Sequence, residues 1–188
     1  GQVIANAKAS ASADSYSTAY QTFITKLNPS PGEQTRRARD YFNKVWSEQT
    51  GMSEANPSFM AAQIYPRLRK EAAAVEQLQT RSWTRAQDDS TKFGLVAGLR
   101  NGTIPPNDFV TQMSVLTKDG LNRYTTSEIL DEMERAEMPS DQLVKIFGGA
   151  KPIPGTKVAW KDHPRFQSMM TAAIRRENIQ YDAKGTAL

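Results

Sequence analysis

The side chains that most often perform chemistry are scarce in this chain of 188 residues. His163 is its only histidine, and it contains no cysteine. These counts exclude disulfides, thiolate metal sites, cysteine nucleophiles and any metal site built from several histidines. A histidine that acts as a general base also needs an orienting partner, which the sequence does not indicate. Because His163 directly precedes Pro164, we expect it to begin a helix rather than to act in catalysis.

Carboxylates are most concentrated within residues 131–137, where they stand at helical spacing: Asp131, Glu132, Glu134 and Glu137. Solvent-exposed acidic helices commonly have this pattern, whereas a catalytic acid and base are expected in a cleft. Gly148-Gly149 lacks the Lys-Ser/Thr of a phosphate-binding loop and the spaced glycines of a dinucleotide-binding turn. The sequence therefore predicts a solvated acidic face, no catalytic, cofactor-binding or metal-binding residue, no cofactor and no enzymatic activity.

Basic residues form groups that are candidates for contact with phosphate. They are Arg36, Arg37 and Arg39; Arg67, Arg69 and Lys70; and Arg175 and Arg176. Salt-sensitive phosphate binding needs little more than such groups, but arginine on an amphipathic helix also commonly covers apolar surface with its aliphatic stem. Aromatic side chains that could stack on bases have a spacing that fits helix cores better: Tyr41, Trp46, Trp83 and Phe93. Contact with nucleic acid therefore stays open from the sequence.

The net charge of +4 is unevenly distributed along the chain. Residues 103–150 contain 4 Lys and Arg against 8 Asp and Glu, whereas residues 151–188 contain 7 against 3. An acidic segment beside a basic one suits contacts between segments, or between copies of the chain, at least as well as it suits phosphate. The candidates for a partner contact are Lys151, Lys157, Trp160, Met169 and Met170.

Apolar residues at helical spacing, bounded by caps and stops, account for most of the chain. They predict helices over about residues 9–27, 34–50, 57–99, 107–118, 125–137 and 142–147, and a last helix from residue 164. Pro66 should kink or divide the third of these, and the polar run 87–90 is a second candidate break. Pro105-Pro106 should separate the third helix from the fourth. Any strand is expected to be confined to the vicinity of residues 157–160.

Short helices between frequent stops favour an all-α fold, an elongated array of helical hairpins with a Gly/Pro-rich loop or arm near residues 148–164. The chain then divides into a helical hairpin region (1–147), an irregular Gly/Pro-rich connector (148–164) and a C-terminal helix with a tail (165–188). No stretch is apolar enough to span a membrane. The chain begins at Gly1 without the pattern of a signal peptide, and we expect it to be a piece of a longer protein.

Two features lie in a part of the chain whose predicted helices are rich in Gln, Ala and Met. The first is the stretch Leu99-Arg100-Asn101-Gly102-Thr103-Ile104-Pro105, and the second is a Leu-x-x-x-Gly helix stop at Leu116 to Gly120. In this combination the sequence resembles the large internal virion proteins of short-tailed bacteriophages. Those proteins are mostly helical, form a core in the capsid and are ejected to help carry DNA across the cell envelope. The resemblance lies in the general character of the sequence over residues 30–180 and not in a defined motif, so it assigns no functional residue.

Two functions follow as hypotheses. The first is a non-enzymatic structural or assembly protein. The resemblance implies that it is a fragment of a phage internal virion protein that takes part in DNA ejection across the host envelope. Its expected partners are copies of itself or other virion proteins, and its expected location is the virion interior. The second is a helical nucleic-acid-associated adaptor that uses basic helix faces, with the cytoplasm as the location expected outside a virion. The sequence contains no recognisable nucleic-acid-binding module, which favours the first.

Overall fold

The computed structural model describes residues 1–147 and 152–183. The protein is all-α, with 77% of it in helices, and this confirms the predicted fold class. Within the described residues no strand forms, and antiparallel pairing is limited to isolated bridges that join Thr117 to Arg123 and Pro152 to Ala159. The stacking of the helices as hairpins in an elongated array stays a prediction.

The α-helices are α1 (Gln2–Leu27), α2 (Glu33–Thr50), α3 (Pro57–Phe59), α4 (Tyr65–Arg100), α5 (Pro106–Met113), α6 (Thr126–Glu134), α7 (Ser140–Phe147) and α8 (Pro164–Ala183). Short 3-10 turns lie at Met52–Glu54 and Trp160–Asp162, and a π-helical segment at Met60–Ile64 precedes α4.

The chain divides into two compact units, Gly1–Arg85 (unit 1) and Ala86–Leu188 (unit 2), and the division falls within α4. Each unit has its own core. The sequence placed its boundaries after residues 147 and 164, where the composition changes. Side chains from both sides of these positions share the core of unit 2, since the ring of Phe147 lies 5.1 Å from that of Trp160 and 5.7 Å from that of Phe166.

The core of unit 1 is built around aromatic rings on α1 and α2. Tyr16 and Tyr20 are one helical turn apart on α1 and fully buried. The ring of Phe42 on α2 lies 5.6 Å from that of Tyr16 and 5.0 Å from that of Tyr20, and Trp46 stacks on Phe42 at 5.7 Å. The first turns of α4 close this core with Leu68, Ala72 and Val75. The helical spacing of apolar residues in α1 therefore predicts the side chains that pack, except for Leu27, which is 54% exposed.

The core of unit 2 joins the last turns of α4 to the four helices that follow. Its largest fully buried side chains are Leu99, Phe109, Met113, Met133, Leu143, Phe147 and Trp160. Methionine has a flexible, polarisable side chain that fills irregular gaps between short helices. This packing fixes the last turns of α4 against α6 within the unit.

Local signals fix several helix ends where the sequence predicts them. Gly102 takes the left-handed conformation with φ of 75°, and its N–H donates to the Leu99 carbonyl at 3.2 Å, which satisfies a free carbonyl at the end of α4. Thr125 and Glu128 exchange hydrogen bonds as a capping box at the start of α6. Pro106 begins α5, so the two prolines separate α4 from α5 as expected.

Two expectations about α4 have different outcomes. The irregularity expected at Pro66 is present as the π-helical segment that directly precedes α4, in which Pro66 is the second residue. The break considered at residues 87–90 is wrong, because α4 continues through them. The Asp88 carboxylate accepts hydrogen bonds from the N–H and hydroxyl of Thr117, at 2.8 and 2.7 Å, instead of competing for the backbone of its own helix.

Residues 157–160, to which the sequence confined any strand, form no strand and only an isolated bridge. Gly155 reverses the chain with φ of 81°, and the Ile153 N–H then donates to the Val158 carbonyl at 3.0 Å. Pairing ends there with the bridge at Ala159, because Trp160 already begins a 3-10 turn. Residues 148–151, at the start of the predicted arm, lie outside the described residues.

Candidate docking surface

Four of the eight basic residues predicted to contact phosphate are engaged by carboxylates of the same unit. On α2, Arg36 and Arg37 contact Glu33 at 3.5 and 3.0 Å, and both guanidinium groups are exposed. Arg39 points the other way and contacts Glu76 of α4 at 3.3 Å. The α2 group is therefore split between two faces and partly neutralised.

The α4 group is divided in the same way. Arg67 contacts Asp14 at 2.7 Å and Glu71 at 3.1 Å, and the hydrogen bond to Asp14 is the main cause that raises the pKa of Arg67. Arg69 and Lys70 are exposed and form no ion pair among the described residues. These two side chains keep their charge available for a ligand.

The last basic pair, on α8, is also divided. Arg176 is half-buried and donates to the Met138 carbonyl at 3.2 Å, so it closes the end of a neighbouring segment. Arg175 is exposed and forms no ion pair among the residues that the structure describes.

The predicted partner contacts have mixed outcomes. Trp160 and Met169 are only 2% and 5% exposed, so proposing them as surface contacts is wrong: both belong to the core of unit 2. The Trp160 Nε1–H donates to Asn107 at 2.5 Å, which satisfies its polar edge inside the unit. Met170 is half-buried and packs against the same core, and Lys157 is exposed. Lys151 lies outside the described residues.

The acidic group on α6 is not simply a solvated face. Arg165 binds both Asp131 and Glu134, the latter at 2.6 Å, and the hydrogen bond to Asp131 is the main cause that raises the pKa of Arg165. Glu132 is buried, and its carboxylate contacts Arg135 at 2.6 Å and Lys92 at 3.7 Å. The prediction fails because two of these cations, Lys92 of α4 and Arg165 of α8, are far from α6 in sequence.

A buried polar network in unit 1 was not predicted. Glu76 of α4 accepts hydrogen bonds from the Tyr20 hydroxyl at 3.0 Å and from Arg39 at 3.3 Å, and the Tyr16 hydroxyl donates to Asn43 at 2.5 Å. Burial raises the pKa of Tyr16 to about 12, and burial together with the nearby Glu76 carboxylate raises the pKa of Tyr20 further. These contacts tie three helices together and leave both phenols neutral at ordinary pH.

His163 lies at the start of α8, as the sequence predicts. Its Nδ1 accepts a hydrogen bond from the Arg165 N–H at 3.1 Å, directly ahead of Pro164. Within residues 1–147 and 152–183 no cluster of three or more His, Cys, Asp or Glu side chains is placed to hold a metal ion. None of the described helices combines the length and apolarity needed to cross a membrane.

A groove in unit 2 presents an exposed aromatic side chain. It has a volume of about 300 Å³ and lies between α4 and the end of α6. Its lining residues are Lys92, Phe93, Val96, Ala97, Arg100, Glu132 and Arg135. Phe93 is 79% exposed, so its assignment to a helix core is wrong. We call this feature the Phe93 groove.

A second groove, of about 470 Å³, lies in unit 1 between the end of α1 and α2. Phe23 and Tyr41 stack there with ring centroids 6.1 Å apart, and Tyr41 is 63% exposed. The core assignment of Tyr41 is therefore also wrong. Its lining includes one charged side chain, Arg37, which already contacts Glu33.

The helical period of α4 was sufficient to predict that Phe93 lies outside the buried face of this helix. Leu95 and Leu99 mark the buried stripe, and Phe93 stands roughly 200° around the helix from Leu95. Phe93, Val96, Ala97 and Arg100 instead follow the i, i+3, i+4, i+7 spacing of a second face. A separate count of this second stripe would have identified the groove wall on α4, though not the wall on α6.

Comparisons with known protein families, with curated proteins and with solved structures find no match to this chain.

Proposed function

We propose that this chain is a non-enzymatic assembly segment that works by docking to other polypeptides, as part of a phage internal virion protein that takes part in DNA ejection across the host envelope. The observation that carries the docking function is the Phe93 groove, where a large aromatic side chain is held 79% exposed on a helix whose opposite side is buried. Single exposed apolar residues are ordinary on protein surfaces, but one that lines a groove between two helices is typical of a protein contact.

The contacts that the polar side chains make within the chain support the same proposal. The one histidine caps a helix, Glu76 and Glu132 bind cations of their own unit, and Arg165 holds two carboxylates of α6. These groups are engaged in holding helices together. The assignment to a phage virion rests on the sequence resemblance, which agrees with the all-α fold.

Binding of nucleic acid is the second candidate, and exposed cations without ion pairs in the described residues favour it. Among the predicted phosphate contacts these are Arg69, Lys70 and Arg175. The other predicted phosphate contacts are engaged with carboxylates or carbonyls. Only three of the eight predicted phosphate contacts are thus left for a ligand, and Arg175 is in a different unit from Arg69 and Lys70, so we favour the protein partner.

A salt series distinguishes the two functions. Binding of the intact protein to duplex DNA, to itself and to the other proteins of the particle is measured at about 50 mM and about 200 mM salt. We expect protein contacts that persist at the higher salt, because apolar burial does not weaken with salt. Binding to DNA that falls steeply with salt, without any protein contact, would replace this proposal with the adaptor.

A further inference from the structure

The Phe93 groove has the form of a site for a third helix. Its one wall is the second face of α4, with Phe93, Val96 and Ala97, and its other wall is the end of α6, with Glu132 and Arg135. Two neighbouring helices leave between them a channel into which the side chains of another helix fit. The groove is open to solvent in the described chain, and the apolar part of its lining consists of Phe93, Val96 and Ala97.

The rim of the groove is positively charged. It carries Lys92, Arg100 and Arg135 against the single carboxylate of Glu132, which gives three positive charges and one negative charge. Glu132 is shared by Lys92 and Arg135, so it cannot neutralise both. This excess is local, because unit 2 as a whole contains 13 Lys and Arg and 13 Asp and Glu.

One of these cations is held in place by the fold. The Arg100 Nε–H donates to the Ala136 carbonyl at 2.7 Å, where α6 has just ended. A guanidinium group has five N–H donors, so a group fixed in this way keeps donors for an incoming carboxylate. Because its side chain is already ordered, such a contact costs less conformational entropy.

We propose that the Phe93 groove binds a helix of a partner polypeptide that inserts a large apolar side chain beside Phe93 and carries acidic residues facing Arg100 and Arg135. This inference rests on the docking function proposed above and gives it a surface and a partner chemistry. The small volume accommodates few side chains, so each contact is weak and gains strength from repetition in an assembly.

The test uses a synthetic helical probe of about 16 residues, long enough to form a helix in isolation. One probe carries leucine on one face and glutamate beside it, and a second carries lysine in place of the glutamate. Their affinities for the chain are measured by fluorescence anisotropy, together with that of a single-stranded DNA probe. The variants are Phe93→Glu and, as a matched control, Val144→Glu on α7, which is 58% exposed and does not line the groove.

We expect the acidic probe to bind more tightly than the lysine probe. Phe93→Glu should weaken its binding at least about tenfold, since it removes an apolar contact and adds a like charge. Val144→Glu should leave binding unchanged. Equal binding of both probes, absence of binding, or equal effects of the two variants would overturn the inference, as would binding of DNA alone at this groove. Circular dichroism confirms that both variants keep their helices.

The failure of this inference can be distinguished from failure of the docking function. If the intact protein assembles equally well with Phe93 and with glutamate at this position, the groove is not the contact and the docking function stands. If the intact protein forms no protein contact at all, the docking function itself fails.

Discussion

At the residue scale, Glu76 is the polar centre of unit 1. Its side chain is 16% exposed, and its two oxygens accept hydrogen bonds from α1 through Tyr20 and from α2 through Arg39. A carboxylate in this position satisfies two groups that would otherwise be desolvated without a partner. Glu33 is a useful contrast, because it also contacts arginine but lies 63% exposed on the surface.

We predict that Glu76→Gln lowers the free energy of unfolding of unit 1 by about 1–3 kcal/mol, because Arg39 loses its countercharge in a half-buried site. Glu33→Gln should change it by less than about 0.5 kcal/mol, as is usual for exposed ion pairs. Hydrogen exchange of the α1 and α2 amides measures both variants in the same unit. Equal protection factors in the two variants would contradict the role given to Glu76.

The two buried tyrosines predict how stability depends on alkaline pH. Their pKa values are raised in the folded chain, to about 12 for Tyr16, above the ordinary value of 10.0. Between these values the folded chain holds protons that the unfolded chain has released. The stabilisation is therefore complete below about pH 10 and declines as the pH rises, by about 1.4 kcal/mol per pH unit for each tyrosine.

Urea denaturation between about pH 9 and about pH 12 measures this slope. In Tyr20→Phe the slope should be smaller, because only Tyr16 remains to titrate with a raised pKa. A slope that is the same with and without the Tyr20 hydroxyl would show that other groups cause the alkaline loss of stability.

At the scale of the element, two glycines one turn apart on α4 are in different surroundings. Gly94 is exposed, and a Cβ at this position would meet no atom within 4 Å. A Cβ on Gly98 would lie 2.5 Å from Ile104 Cδ1, because the chain after α4 turns back over this position. Packing within the chain therefore explains why position 98 is a glycine, but it does not explain the glycine at position 94.

We predict opposite effects of alanine at these positions. Gly94→Ala should raise the free energy of unfolding by about 0.5–1 kcal/mol, since alanine favours the helix more than glycine does. Gly98→Ala should lower it by about 1–3 kcal/mol through overpacking against Ile104. Thermal denaturation of the two variants measures the difference, and a stabilising effect at both positions would show that the turn after α4 adapts freely.

The helices were predictable because their signals are local. The cap at Thr125, the stop at Gly102 and the two prolines before α5 act on neighbouring backbone groups, and the structure places helix ends there. The candidate site was largely not predictable. Burial of Glu132 depends on Lys92 from another helix, and exposure of Phe93 depends on which side of α4 the rest of unit 2 covers. Such pairings of distant segments leave no local signal in a single sequence.

At the scale of the whole molecule, the basic charge belongs to one unit. Unit 1 contains 11 Lys and Arg against 7 Asp and Glu, a net charge of +4, whereas unit 2 has 13 of each and is neutral. Arg69 and Lys70 are in unit 1, and the Phe93 groove is in unit 2. The net attraction to phosphate is thus expected to act mainly through unit 1, although Arg175 is in unit 2, and the proposed protein docking through unit 2.

The most direct test of the docking function is analytical ultracentrifugation of the intact protein over a range of concentrations, alone and with the other proteins of the proposed virion. We predict association into larger species that persists at about 200 mM salt, where contacts made only to phosphate are strongly weakened. A protein that stays monomeric at high concentration and binds no other particle component would contradict the account, and binding to duplex DNA would then make the nucleic-acid adaptor the better explanation.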